Sequence, residues 1–452
     1  MEEKINKFKK IMKDNGLNKI VIESFVDYYK QLLSGSTGKL TEAEILPPSQ
    51  NKIEKKDELK SYKNLPYEKL AVVKLNGGLG TSMGLQKVKS LLQVKGDHNF
   101  LDIIVKQIFH LKEKTKEDIP LLFMNSFNTR NDTLDYLKKY PQLAVKDLPL
   151  DFLQNKFPKI RQDDLLPLQL ENDRLNWNPP GHGEIYMTMY LTGVLDKLLD
   201  KGIEYIFISN SDNLGAVVTS DVFGYFTKNE LPFMMEVCKR TEMDKKGGHL
   251  AQKKDGKLVL REIAQCPDEE LDYFQDIHYY KYFNTNNLWV NILYLKKKLE
   301  ENKGRLPLSL IINPKKIKGI KVYQLESAMG SAISIFEGSR ALEVSKNRLV
   351  PVKKTNDLLA VRSDAFQLAD NYKLILHDIL KSPPNIKLNS DYYKTLKQFE
   401  AHFISLPSLK ECKSLKVRNE VFFEENVVIK GEVEISKSLR IKNETLEDLT
   451  IY

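Results

Sequence analysis

LAVVKLNGGLGTSMGLQKVKS, residues 70–90, passes from the apolar run LAVV into a loop that carries Gly77, Gly78, Gly80 and Gly84 and closes on Lys87 and Lys89. A buried strand that ends in such a loop is built for an anion. Glycines lack the β-carbon that keeps backbone N–H groups at a distance, and the lysines add charge. Two familiar readings fail on spacing. Gly78, Gly80 and Gly84 are spaced GxGxxxG, one residue too long for a dinucleotide fingerprint, and no acidic residue closes a second strand at the required distance. A Walker loop needs Gly-Lys-Ser/Thr, whereas Lys89-Ser90 follows Val88. A dehydrogenase and a P-loop NTPase are excluded, and a phosphate-binding loop remains.

Outward from the loop, the pattern repeats. PLLFMN (120–125), YIFISN (205–210) and PFMMEVC (232–238) read as further buried strands. Between them, FLDIIVKQIFHLKEK (100–114) places Ile104, Ile108 and Leu111 on one helical face, and IYMTMYLTGVLDKLLDKG (185–202) reads as one helix capped by Gly202. Strands alternating with helices predict an α/β fold, a mostly parallel sheet covered on both faces. Asn76-Gly77, Asn125-Ser126 and Asn210 through Asp212 end these strands, where open α/β sheets hold their ligands.

The ends of the chain differ. Residues 1–66 form a helical preface, with Ile5, Phe8, Ile11 and Met12 at helical spacing, and then a polar linker. The main domain is expected over 67–375. In 376–452, a linker helix leads to the apolar pairs Leu415/Val417, Val421/Phe423, Val427/Ile429, Val433/Ile435 and Leu439/Ile441, which recur every six residues. That period marks a small β-helix, with an antiparallel meander as the alternative.

Bulk properties narrow the class. The formal charge is +9, from 70 Lys+Arg against 61 Asp+Glu, which suits an acidic ligand. The lysines are interleaved with acids (KKDELK, HLKEKTKED), a solvated surface and not a nucleic-acid stripe. Cys238, Cys266 and Cys412 are far apart and imply reduced thiols. No apolar run reaches the ~18 residues of a membrane span. The N-terminus carries Glu2 and Glu3 and no arginine, so neither a secretory signal nor a transit peptide is expected and the cytosol is the expected compartment.

LNGGLGTSMG resembles the nucleotide-binding loop of the eukaryotic-type UTP–glucose-1-phosphate uridylyltransferases (UDP-glucose pyrophosphorylases). The resemblance continues in order through MNSFNT (124–129), PPGHGE (179–184), SNSDNLG (209–215), KGGHL (246–250), EIAQ (262–265), FNTNNLW (283–289), QLESAMGSAI (324–333) and PVKKTNDLL (351–359). Ser82-Met83 stand where related N-acetylhexosamine enzymes tend to carry Arg-Leu, which favours glucose. The resemblance implies a Rossmann-like nucleotidyltransferase sheet with a short left-handed C-terminal β-helix. It also implies uridylyl transfer from UTP to glucose 1-phosphate with Mg²⁺, no membrane or nucleic-acid partner, and room for self-association through the C-terminal coils. A different sugar choice or a silent nucleotide-sugar sensor are the alternatives, and the sensor would require loss of Lys353, Asp212 or Lys89.

The roles follow from the resemblance. Lys89 would hold the departing pyrophosphate, Asp212 would ligate the metal, and Lys353 would sit between the sugar phosphate and the α-phosphate. Lys354 is set aside, because in a strand the two lysines would face opposite ways. Leu75, Asn76, Gly77, Gly78 and Gly181 would form the uracil pocket with Gln154, whose amide offers a donor and an acceptor. His182 would lie at the sugar phosphate and Asn210 beside the nucleotide. Asn286 and Glu326 would take the glucose hydroxyls, and Gly248 would admit the sugar. The family usually follows its glycine loop with Gly-Pro-Lys-Ser. Here Lys87-Val88 replace Gly-Pro, so an altered loop shape or phosphate affinity is expected.

Overall fold

The strand read from LAVVKLN is central to an eleven-stranded sheet. The computed structural model describes the backbone of residues 1–452 and every side chain except that of Met243. Eight strands form the continuous path: β1 (Ile53–Lys55), β2 (Leu70–Asn76), β3 (Leu121–Asn125), β4 (Asp151–Leu153), β5 (Tyr205–Asn210), β6 (Phe233–Lys239), β7 (Tyr282–Asn291) and β8 (Arg340–Glu343). Their order in space is β1-β8-β6-β7-β5-β2-β3-β4. Only β7 runs antiparallel to its neighbours β5 and β6; every other pair on this path is parallel. The mostly parallel α/β reading therefore holds, and the carboxyl ends of β2, β3, β4 and β5 share one edge.

Local chemistry sets the covering helices. The helix α3 (Phe100–Thr115) starts at a capping box in which the Asn99 side chain accepts from Asp102 N–H and the Asp102 carboxylate accepts from Asn99 N–H. Its apolar face packs on Val72, Phe123 and Phe207. The helices α1 (Glu2–Asp14) and α2 (Lys19–Leu33) bury Phe8, Phe25 and Tyr29 against Phe157 and Trp177. The segment 185–202 departs from expectation. It is two helices, α4 (Ile185–Leu191) and α5 (Val194–Asp200), broken where Gly193 takes φ +71°. The apolar period runs through the break, so periodicity alone does not reveal it. Further on lie α6 (Ser220–Lys228) and α7 (Thr355–Arg362). Among the described residues no helix is long and apolar enough to cross a membrane.

The C-terminal strands are β9 (Asn385–Leu388), β10 (Ser408–Val417), β11 (Val421–Phe423), β12 (Val428–Ile435), β13 (Leu439–Ile441), β14 (Thr445–Glu447) and β15 (Thr450–Ile451). Every pairing among them is parallel, which excludes the meander. Leu415 lies opposite Val433 and Val421 opposite Leu439, so these two apolar pairs stack on the ones three hexads later. Their side chains join the α3 face of the main sheet in one apolar cluster, from Leu70 to Leu446.

Candidate active site

A cavity of about 390 Å³ opens at the shared strand edge. Leu75, Asn76, Gly77 and Gly78 form one wall, and Gln154, Gly181, His182 and Glu326 another, with Lys89, Asn210 and Asp212 also in the lining. Met124 completes the lining, so six separate segments of the chain meet in one space.

The glycine loop is shaped by two left-handed residues, Gly80 and Gly84, each at φ +68° around the turn Thr81–Met83. Only Gly occupies such positions at little cost. Gly78 needs no such conformation, and a β-carbon there would meet nothing within 4 Å, so its missing side chain leaves open space for a ligand. Val88 takes φ −55°, within the range that a proline ring would fix, and its side chain is buried. Its N–H makes only a long contact, 3.5 Å, to the Asp132 carboxylate. At residue 88 the loop therefore keeps a proline-like φ without the proline, and Lys87 faces solvent.

Opposite the loop, PPGHGE is laced to residues 327–329. Ser327 N–H donates to Pro180 O, Gly183 N–H to Ser327 O, and Met329 N–H to His182 Nδ1 at 3.0 Å. The last bond assigns the tautomer: Nδ1 accepts, so Nε2 carries the proton. Burial, with the Lys353 ammonium adding to it, lowers His182 to about 4 and keeps it neutral at physiological pH. Gly181, at φ +81°, lies so close to Ser327 that a β-carbon would come 2.4 Å from its carbonyl oxygen. Gln154 donates from Nε2 to Gly181 O at 2.7 Å, which fixes the amide plane against Gly77. Behind it, Glu184 accepts from Asn155 N–H and Nδ2 and is pushed by burial to about 8.

Lys89 and Asp212 touch: Nζ and Oδ2 are 2.5 Å apart. Beside Asp212, the Asn213 side chain uses its whole amide. Nδ2 donates to Arg348 O and Asn287 Oδ1, and Oδ1 accepts from Val350 N–H and Gly215 N–H. Asn213 also pairs through its backbone with Pro351. Beneath it, Glu236 and Arg348 form a buried ion pair whose carboxylate also accepts from Asn287 and Trp289. The Asp212 turn and the segment leading to Lys353 are therefore one joined unit.

Several expected residues stand elsewhere or act differently. Lys353 is exposed and outside the cavity lining, with its carbonyl accepting from Ser82 Oγ at 3.2 Å. Lys353 and Lys354 belong to no strand; Lys354 is the N-cap of α7, and Asp357 accepts the backbone N–H of both, at 2.7 and 2.9 Å. The Asn76 amide turns inward to Asn125 and Thr133, so only its position and not its side chain serves the cavity. Gly248 and Asn286 also lie outside the lining. Asn286 occupies a bulge of β7 at φ +58°, tied to Asn284. A β-carbon on Gly248 would lie 2.6 Å from the Glu262 carboxyl, which the reading of EIAQ did not single out. Burial raises Glu262, and the Lys353 ammonium opposes that shift.

A family profile described as UTP–glucose-1-phosphate uridylyltransferase matches residues 22–430. The chain belongs to this family. The Solanum tuberosum uridylyltransferase is 39% identical over 98% of this chain and 94% of its own length, and that of Hordeum vulgare 40% identical over 93% and 89%. Among solved structures, a mutant UDP-glucose pyrophosphorylase from Leishmania major in complex with UDP-glucose superposes with a TM-score of 0.94 at 39% identity, covering 100% of this chain and 99% of that one. A UDP-glucose phosphorylase from Trypanosoma brucei gives 0.92 at 40%, covering 99% of each chain. The uridylyltransferase fold thus accounts for the whole chain.

Proposed function

We propose that the protein transfers the uridylyl group of UTP to glucose 1-phosphate, forming UDP-glucose and pyrophosphate in a reversible reaction. The observation that carries this reading is the meeting of the glycine loop, Gln154, His182 and the Lys89–Asp212 pair in one cavity of a chain that belongs to the uridylyltransferase family. A phosphate oxygen of the sugar attacks the α-phosphorus in line. The bond from that phosphorus to the bridging oxygen breaks, and pyrophosphate leaves with the electron pair. A phosphate monoester is already ionised near neutral pH, so the protein supplies alignment and charge and no general base.

In this reading the backbone of Leu75–Gly78 and the Gln154 amide read uracil, and neutral His182 donates from Nε2 to the sugar phosphate. Lys89 receives the pyrophosphate, and Lys353 stands between the two reacting phosphates. Glu326, Asn286, Gly248 and Glu262 receive the glucose. The Asp212 carboxylate suits Mg²⁺, which binds one or two carboxylates plus substrate phosphates and seldom an all-protein cage. When bound it neutralises charge developing on the phosphates. Lys89 pairs with that carboxylate in the structure, and its move to the pyrophosphate would free it.

We also read the chain as a preface (1–66), a catalytic domain (67–375) and a C-terminal part (376–452) whose coils form a short left-handed β-helix open to self-association. The parallel register of the coils supports that reading. Pyrophosphate release from UTP with glucose, galactose or N-acetylglucosamine 1-phosphate tests the sugar: glucose should be preferred, and preference for another sugar overturns the assignment. Lys353→Ala should cut kcat about 10²–10³-fold with UTP binding nearly unchanged. Near-normal turnover would remove Lys353 from the mechanism.

A further inference from the structure

On the α3 side of the sheet lies a second cavity of about 140 Å³, with no catalytic residue in its lining. Its lining includes Lys74, the lysine of the KLNGG loop motif that the reaction does not use. It is 2% exposed, and its Nζ donates to Ser209 Oγ at 2.7 Å and Ala216 O at 3.1 Å. Both acceptors are neutral. Among the described residues no carboxylate pairs with this ammonium, and one of its three N–H donors has no named acceptor. The lining contains two more basic side chains, His110 and Lys114, and no acid. Thr219 adds a buried hydroxyl to the lining. The remaining walls include Val72, Ile108 and Phe207. A buried cation is normally paired or displaced to solvent. Here its company is two neutral oxygens and the Phe207 ring, 5.9 Å from Nζ, and it borders the cavity.

We propose that this cavity is a binding site for a small organic anion, with a carboxylate or phosphate head on Lys74 and a body no larger than one aromatic ring. The volume fits that body, since an apolar cavity of about 150 Å³ accommodates benzene. Burial, with the Arg348 guanidinium adding to it and Glu236 opposing it, lowers Lys74 to about 7, and an anion beside it would favour the charged form. Lys74 ties β2, which leads to the glycine loop, to the turn after Asp212 through Ala216. An occupant therefore touches the joint between two loops of the reaction cavity while standing outside it.

Titration calorimetry of the full chain tests this with benzoate, phenyl phosphate and neutral benzyl alcohol as probes. The expected result is saturable binding of at least one anion, tenfold or more tighter than benzyl alcohol. The tighter anion identifies the head group. Lys74→Met should abolish the preference for the anion. Lys114→Glu, an exposed rim substitution that leaves the core intact, should weaken it severalfold and decides the matter should Lys74→Met not fold. Lys89→Ala, in the reaction cavity, should leave it unchanged. Absence of saturable anion binding, equal binding of benzyl alcohol, loss of binding in Lys89→Ala, or indifference to Lys114→Glu and Lys74→Met would each overturn the proposal.

Discussion

Gly78 and His182 show how much rests on single residues. Because nothing lies within 4 Å of a β-carbon at Gly78, Gly78→Ala should fold with an unchanged Tm. The added methyl would then occupy nucleotide space, at about 1–3 kcal/mol by the usual cost of overpacking, so the KM for UTP should rise about tenfold or more. Thermal melts and steady-state kinetics on one preparation check both halves, and a fall in Tm with normal KM would show that the space is structural. His182 yields a pH prediction. Its folded pKa, about 4, lies below the ordinary 6.5, so as pH falls from 6.5 the unfolded chain takes up the proton first. Its stabilising contribution is full above 6.5 and is lost as pH falls toward 4. Between pH 5 and 8, wild type and His182→Gln should give pH–rate profiles of the same shape; an inflection present only in wild type would contradict a neutral imidazole.

At the scale of elements, Asn213 joins two active-site segments that are far apart in sequence. Asn213→Ala would leave the buried Val350 N–H without its acceptor and Arg348 O with Asn287 Nδ2 alone. The expected loss is about 2–4 kcal/mol of stability, and kcat should fall more than KM changes. Urea denaturation with kinetics checks this; a stability loss without loss of kcat would uncouple the joint from the chemistry. The same elements show what a sequence reveals. Strand ends, the glycine loop and the hexads were legible because each writes a local period or a local turn chemistry. The break at Gly193 was not, since the apolar stripe continues across it. The inward turn of the Asn76 amide was not either, because its partners Asn125 and Thr133 come from other elements. Glu262 faces Gly248 only through the pairing of the hairpin strands His249–Lys253 and Leu258–Arg261, a tertiary fact. Val88 shows a limit of another kind: the missing proline predicts an altered loop shape or phosphate affinity, while φ at residue 88 lies where proline would hold it.

Across the whole molecule, the C-terminal strands and the α3 face of the sheet share one apolar cluster, so neither is closed without the other. Deleting residues 408–452 would strip Leu415, Val421, Val433 and their partners from that cluster. The shortened chain should lose its cooperative thermal transition and bind hydrophobic dyes; a sharp transition at the wild-type Tm would show that the catalytic part stands alone. A related contact has a consequence in time. Gly84 of the nucleotide loop rests on Thr395, 3.1 Å from the Thr395 methyl to an added β-carbon. A ribosome makes the loop early and its support late, and a bacterial or eukaryotic nascent chain emerges at about 5–20 residues per second. The glycine loop of a growing chain thus waits many seconds, unsupported, for residue 395, and the window for chaperone capture or proteolytic cutting at this loop is set by translation speed.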